Sequence, residues 1–173
     1  MTEKIYWAKE PLWKVRPVKD YTVFFEHLSS LIPEGSVLFL EGTSMSQDIK
    51  DFLGSVAIEE PKDVQVGEAR DPDKLPQERT YKVPILGWEL RCNPRPHHFH
   101  IPATHGNLLE ISKMSEHHAE PEMFDHLIIY RGKIGLLSWY DAPTDPFYVS
   151  TEISEVSLKE FCAKVQVSYK LES

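Results

Sequence analysis

The feature that most constrains the fold is a pair of β-type runs on either side of a short turn. Residues 125–130 and 134–140 are rich in Leu, Ile, Tyr and Trp, and Arg131-Gly-Lys133 joins them. Glycine adopts the positive φ that a tight turn needs, so this spacing predicts an antiparallel β-hairpin over about 125–140. We expect this hairpin to be the centre of a sheet.

Four segments have apolar residues at helical spacing, and each starts at residues that favour a helix N-terminus. The first begins at Asp20, carries Phe24 and Leu28 on its inner face, and ends at Pro33-Glu-Gly35. The other three are predicted from Ser or Asn followed three residues later by Gln or Glu, the spacing of a capping box. These pairs are Ser44 with Gln47, Asn107 with Glu110, and Ser157 with Glu160.

Short β-type runs lie between these helices, at 37–40, 80–83, 88–92, 97–101 and 147–150, with an alternating tail at 165–171. The whole pattern predicts an α+β fold, a single domain over 1–173 with a mixed or mainly antiparallel sheet and about four helices. Residues 1–19 are interpreted as an N-terminal arm. Residues 59–79 are rich in Pro, Asp, Glu and Lys and are interpreted as a surface loop.

Composition limits the kinds of partner. The chain has a formal net charge of −8 and no run of basic residues, which argues against nucleic acid because phosphate binding relies on Lys and Arg. No apolar run approaches the length of a membrane span, and no secretion signal is visible. We therefore expect a cytoplasmic protein with no membrane contact, and Cys92 and Cys162, far apart in the sequence, to be reduced.

Histidine is concentrated in one stretch, since seven of the eight lie between His97 and His126. In an extended strand His98 and His100 point to one face. His118 follows the inner face of the third helix, and His126 begins the hairpin. His98, His100 and His126 are the predicted ligands of zinc or another divalent transition metal, with His118 as a further ligand, because three protein ligands and an open position are typical of catalytic zinc. Histidines hydrogen-bonded near a polar crevice are the alternative.

Two aromatic and two acidic residues follow the hairpin closely: Trp139, Tyr140, Asp141 and Asp145. They predict a surface that binds a ligand or a partner, since aromatic rings offer contact area and carboxylates accept hydrogen bonds. The alternative is that both Asp side chains only cap turns. If Asp141 meets His126 across the hairpin, the pair becomes a candidate for general-base catalysis.

The N-terminal segment contains Tyr6, Trp7 and Trp13 among lysines. Trp and Tyr are frequent interface anchors, so this segment is a candidate contact for a partner or for a second copy in a homodimer. Packing over the domain's own core is the alternative.

Two functions remain open. The first is a non-catalytic binding protein of the immunity type, which inhibits or neutralises a basic protein partner through acidic and aromatic surface. The second is a small metal-dependent hydrolase that uses the histidine cluster at 98–126. The sequence contains no Gly-x-Ser-x-Gly motif of a serine nucleophile, and whether the chain is an enzyme stays open.

Overall fold

The computed structural model describes residues 11–59, 81–85, 88–92 and 97–172, and in 81–92 it describes the backbone alone. This part of the chain forms five helices and nine strands. Within it, no helix combines the length and the apolar character that a bilayer crossing requires. The helices are α1 (Tyr21–Leu28), α2 (Gln47–Val56), α3 (His105–Ser115), α4 (Glu120–Met123) and α5 (Glu155–Val165).

Seven strands form one antiparallel sheet in the order β5-β2-β6-β7-β8-β1-β9, and β3 pairs with β4 in a separate hairpin. The predicted α+β fold is confirmed, and the sheet is antiparallel rather than mixed. The strands are β1 (Leu12–Val15), β2 (Val37–Gly42), β3 (Tyr81–Ile85), β4 (Trp88–Cys92), β5 (His97–Pro102), β6 (His126–Arg131), β7 (Ile134–Trp139), β8 (Phe147–Ser150) and β9 (Tyr169–Glu172).

The main core lies between one face of this sheet and the helices. Phe24 of α1 is fully buried and contacts Trp139, Phe147 and Phe161, with ring centroids 4.9, 5.7 and 5.9 Å away. These partners belong to β7, β8 and α5, so one aromatic side chain joins two strands and a helix. Aromatic side chains of this size bury the most apolar surface per residue, which explains their place at the centre.

The predicted hairpin is confirmed as β6 and β7, in the middle of the sheet. Gly132 has φ +58°, the conformation that the turn needs and that other residues rarely adopt. The register between the strands shifts between Ile129 and Tyr130, where β7 contributes an extra residue.

The predicted helices are present, but three of their N-termini differ from the predicted capping boxes. The N-caps are Ser46, Thr104 and Ser154, in place of Ser44, Asn107 and Ser157. The reason is geometric, since an N-cap needs extended backbone, which all three residues have. The side chains of Thr104 and Ser154 also accept from an amide of the first turn, whereas that of Ser46 makes no such bond. Residue types at capping spacing also occur inside a first turn.

The predicted N-terminal arm contains a strand of the sheet. Leu12–Val15 pairs with β8 on one side and with β9 on the other. Trp13 packs against the core, with its ring 5.6 Å from that of Tyr169, so its indole is a packing group rather than an exposed anchor. Tyr6, Trp7 and all of the predicted 59–79 loop except Glu59 lie outside the described residues.

The other face of the sheet carries a smaller buried cluster. Phe39, Ile128 and Tyr130 are each less than a tenth exposed and point away from the helices. His100 is 3% exposed beside them, and its Nδ1 lies 2.9 Å from the Tyr130 hydroxyl. A polar pair is thus built into an apolar surface.

Candidate binding site

Three segments meet at the end of the sheet where β2 stops and β6 begins. They are residues 41–48, 118–126 and 140–146, which we call the acidic end. Together they contain no Lys or Arg. Because carboxylates of one sign are grouped there, the acidic end has a negative potential that favours cationic partners. Its seven carboxylates belong to Glu41, Asp48, Glu120, Glu122, Asp125, Asp141 and Asp145.

Asp125 holds these segments together. Its Oδ2 accepts from both the backbone amide and the hydroxyl of Thr43, at 2.9 and 3.0 Å. Its own amide donates to the carbonyl of Glu41, and its carbonyl accepts from the amide of Ala142. These four bonds tie the turn after β2 to the start of β6 and to the loop after β7. Sequence reasoning missed this role, although an Asp directly before a strand is a common local cap.

His126 and Tyr140 form a half-buried pair at the surface, with ring centroids 5.0 Å apart. Asp141 meets His126 across the hairpin through its backbone, not through its carboxylate: the Asp141 amide donates to Nδ1 of His126 at 3.2 Å. A ring nitrogen that accepts from an amide carries no proton, so the proton of the neutral ring is on Nε2. Nε2 of His126 is therefore a donor, and the Asp141 carboxylate does not orient the ring as a base.

Trp139, the first of the four residues predicted to bind a partner, lies in the core instead of at the surface. It is fully buried and its Nε1 donates to the carbonyl of Asp145 at 2.7 Å. Asp141, with φ +47°, accepts through its carbonyl from the amides of Thr144 and Asp145. Tyr140 is half-buried, and the side chains of Asp141 and Asp145 are exposed, so these three are available to a partner.

The four histidines predicted as metal ligands do not converge. His98 and His100 share a face of β5, with ring centroids 6.5 Å apart. His126 is two strands away, because Glu41 of β2 lies opposite both His98 and His126, and neighbouring strands are about 4.8 Å apart. The ring of His118 is hydrogen-bonded to Asp48 and Glu122. In the described ranges no group of three or more His, Cys, Asp or Glu side chains is placed to hold a metal ion.

His118 bridges two carboxylates. Its Nε2 lies 2.7 Å from Oδ2 of Asp48 and its Nδ1 lies 3.2 Å from Oε2 of Glu122. The bond to Asp48, the largest effect, raises the pKa of His118, with a smaller contribution from Glu122. The pKa of Asp48 is lowered to about 2, first by the Ser46 hydroxyl and then by His118. This arrangement links α2 to α4.

The sequence predicted His118 on the inner face of the third helix, but α3 ends at Ser115, and His118 is half-buried in the segment between α3 and α4. Neither of its partners was predicted. One signal was available for Glu122: the segment Ala119-Glu-Pro-Glu places Pro in a first turn and Glu at the third helical position, which is typical of a helix start. Glu122 does bond back to the amide of Ala119 at 2.9 Å. No local signal identifies Asp48.

Two cavities lie away from the acidic end's histidines. One, of about 420 Å³, is bounded by the turn after α1 and the start of α3, where the Ser29 hydroxyl lies 3.1 Å from Nδ1 of His105. The other, of about 440 Å³, is lined by residues of β1 and β9 and by Pro146. Neither was predicted from the sequence.

Comparison with known proteins adds no relative to this description. The chain matches no protein-family model, no curated protein and no solved structure.

Proposed function

We propose that this chain is a non-catalytic binding protein that inhibits or neutralises a basic protein partner through its acidic end. The observation that carries the proposal is the grouping of exposed carboxylates on the surface that also holds the half-buried Tyr140. A cationic partner is attracted by such a surface before contact, which increases the rate of association. The exposed carboxylates are Asp48, Glu120, Glu122, Asp141 and Asp145.

The hydrogen bonds that order this surface support the proposal. Thr43, Asp125 and Ala142 join its three segments, and the amide of Ser46 donates to the carbonyl of Glu122 at 2.9 Å. A surface that is already ordered loses less conformational entropy when a partner binds. Less of the favourable free energy of contact is then offset by ordering the surface, and the affinity is higher.

Tyr140 supplies the aromatic group that acidic side chains lack. Binding surfaces are enriched in Tyr, and the strongest contacts lie near the centre of an interface, surrounded by polar residues. The ring of Tyr140 is held against His126 and has Asp141 next to it in the chain. We infer that Tyr140 is the central contact and that the carboxylates select a partner with positive charge.

The test compares two double variants with the same change in charge. Glu120→Lys with Asp145→Lys reverses two exposed charges at the acidic end, and Glu152→Lys with Glu160→Lys reverses two exposed charges outside it. Each protein is immobilised and exposed to an extract of the cells in which the protein naturally occurs. We expect one basic protein to be retained by wild type and by the second variant but lost from the first.

Salt and Tyr140→Ala complete the experiment. Retention should fall with ionic strength, because exposed charges are screened over about 10 Å at 0.1 M salt. Tyr140→Ala should increase the dissociation rate, by at least about 30-fold for a central contact worth about 2 kcal/mol. Equal retention of the partner by both double variants would overturn the proposal, as would a partner that Tyr140→Ala binds unchanged.

A further inference from the structure

Cations are concentrated at the sheet edge formed by β1 and β9, in contrast to the acidic end. Lys14 lies directly opposite Lys170 in the pairing of β1 with β9. Arg16 follows β1, and its amide donates to the carbonyl of Ser168 at 3.0 Å. Like charges directly opposite each other on antiparallel strands destabilise the pairing, so an anion placed between the two ammonium groups stabilises it.

Glu172 compensates only part of the charge. Its Oε1 lies 3.2 Å from Nζ of Lys14 and 3.6 Å from Nζ of Lys170, so a single carboxylate is shared by two ammonium groups. Arg16 is exposed and makes no ion pair with any residue in the described part of the chain. A second carboxylate, that of Glu155, accepts from the Tyr169 hydroxyl at 3.3 Å. Three cations against two carboxylates still leave an excess of positive charge at this edge, in a chain of net charge −8.

These cations line the cavity of about 440 Å³. This volume lies in the range of small-molecule sites, about 300–1,000 Å³. The rest of its wall comes from Pro17, Pro146 and Tyr169, which are apolar or aromatic, and from the polar Ser168. Lys14 is held in place from its other side, since its Nζ lies 5.7 Å above the ring of Tyr148. The cavity thus has charged donors beside a wall on which a ligand can pack.

We propose that this cavity binds a small molecule that carries a phosphate group. The Arg16 guanidinium provides a planar pair of donors that matches two phosphate oxygens, and Lys14 and Lys170 provide point charges. An extended nucleic acid fits less well, because its affinity requires many phosphate contacts and this edge offers three cations. Of the residues that line the cavity, Pro146 alone belongs to the acidic end, and the cations come from β1 and β9 and the residue after β1, so either proposal can fail without the other.

The test uses inorganic pyrophosphate as the probe and calorimetric titration of the whole chain at low ionic strength. Wild type should bind with saturation at one site. Arg16→Gln and Lys170→Gln should each weaken binding about tenfold or more, because a hydrogen bond to a charged group contributes about 1.5–3 kcal/mol. The matched control is Lys159→Gln, an exposed lysine of α5, which should bind as wild type does.

Three outcomes would overturn the proposal. The first is titration of wild type without saturation. The second is an equal loss of affinity in Lys159→Gln, which would mean that overall charge alone is responsible. The third is tighter binding of a single-stranded oligonucleotide than of pyrophosphate, which would assign the edge to nucleic acid. Arg16 and Lys170 are both exposed, so we expect their variants to fold. Unchanged circular dichroism spectra would show that they do.

Discussion

Nε2 of His118 lies 2.7 Å from Oδ2 of Asp48, although the two residues are 70 positions apart in the chain. The same ring faces Glu122 with its other nitrogen. An imidazolium can donate to both carboxylates, whereas a neutral ring has one N–H and must turn a lone pair towards one of them. The link between α2 and α4 is therefore strongest when His118 is protonated.

We expect this link to make stability depend on pH. The pKa of His118 is raised in the folded chain, so its contribution is fully present below the unfolded pKa of about 6.5 and is lost as pH rises through the folded pKa. Urea unfolding of wild type and His118→Gln at about pH 5.5 and about pH 8.5 checks this. The difference in unfolding free energy should be larger at the lower pH. His117→Gln, at the exposed neighbour, should show no such difference, and an equal effect there would contradict the assignment.

Two buried tyrosines should respond oppositely to loss of the hydroxyl. The Tyr21 hydroxyl is buried without a hydrogen-bond partner in the described residues, whereas that of Tyr130 lies 2.9 Å from Nδ1 of His100. An unsatisfied buried polar group costs about 1–3 kcal/mol. Tyr21→Phe should thus raise the free energy of unfolding by about 1 kcal/mol, and Tyr130→Phe should lower it by about the same amount. Destabilisation by Tyr21→Phe would show that its hydroxyl is bonded.

The two glycines of the hairpin turn and α3 form a second contrast. A Cβ at Gly132 or at Gly106 would meet no atom within 4 Å, so space does not distinguish them. Gly132 has φ +58°, which costs an L-residue about 1 kcal/mol. Gly106 lies in the first turn of α3, where alanine loses less conformational entropy than glycine on folding. Gly132→Ala should lower the thermal midpoint and Gly106→Ala should raise it. The same sign for both would refute the backbone argument.

We expect no response to zinc, because His98 and His126 are separated by a strand and His118 is engaged by carboxylates. An occupied site at 100-fold excess over its Kd stabilises a protein by about 2.7 kcal/mol, a shift that thermal unfolding detects easily. Wild type and a His98→Ala, His126→Ala double variant should have midpoints that zinc leaves unchanged. A zinc-dependent rise in wild type that the double variant loses would restore the metal-dependent hydrolase as the preferred function.

What could be predicted from the sequence was local. The Asp20 cap, the spacing of Phe24 and Leu28, and Gly132 between two apolar runs each act within a few residues, and each prediction is confirmed. These features report hydrophobic periodicity and backbone conformation, which neighbours in the sequence determine.

What could not be predicted depends on pairing between distant segments. Nothing near Trp139 distinguishes a surface aromatic from a core one, and its burial follows from Phe24 and Phe147. Likewise, the partner of His118 comes from α2, and the opposition of Lys14 and Lys170 requires the order of strands. The histidines that are close in the sequence are not all close in space, because β2 lies between β5, which carries His98 and His100, and β6, which carries His126.

The position of β1 has a consequence for how the chain reaches this fold. Leu12 pairs with Ser150 on one side and Glu172 on the other, so both neighbours of this early strand are made far later in synthesis. Until those strands are made, the segment 12–15 has no partner strand in the sheet. Pairings of such long sequence separation close slowly. The earliest strand in the described part of the chain is therefore among the last to be fixed.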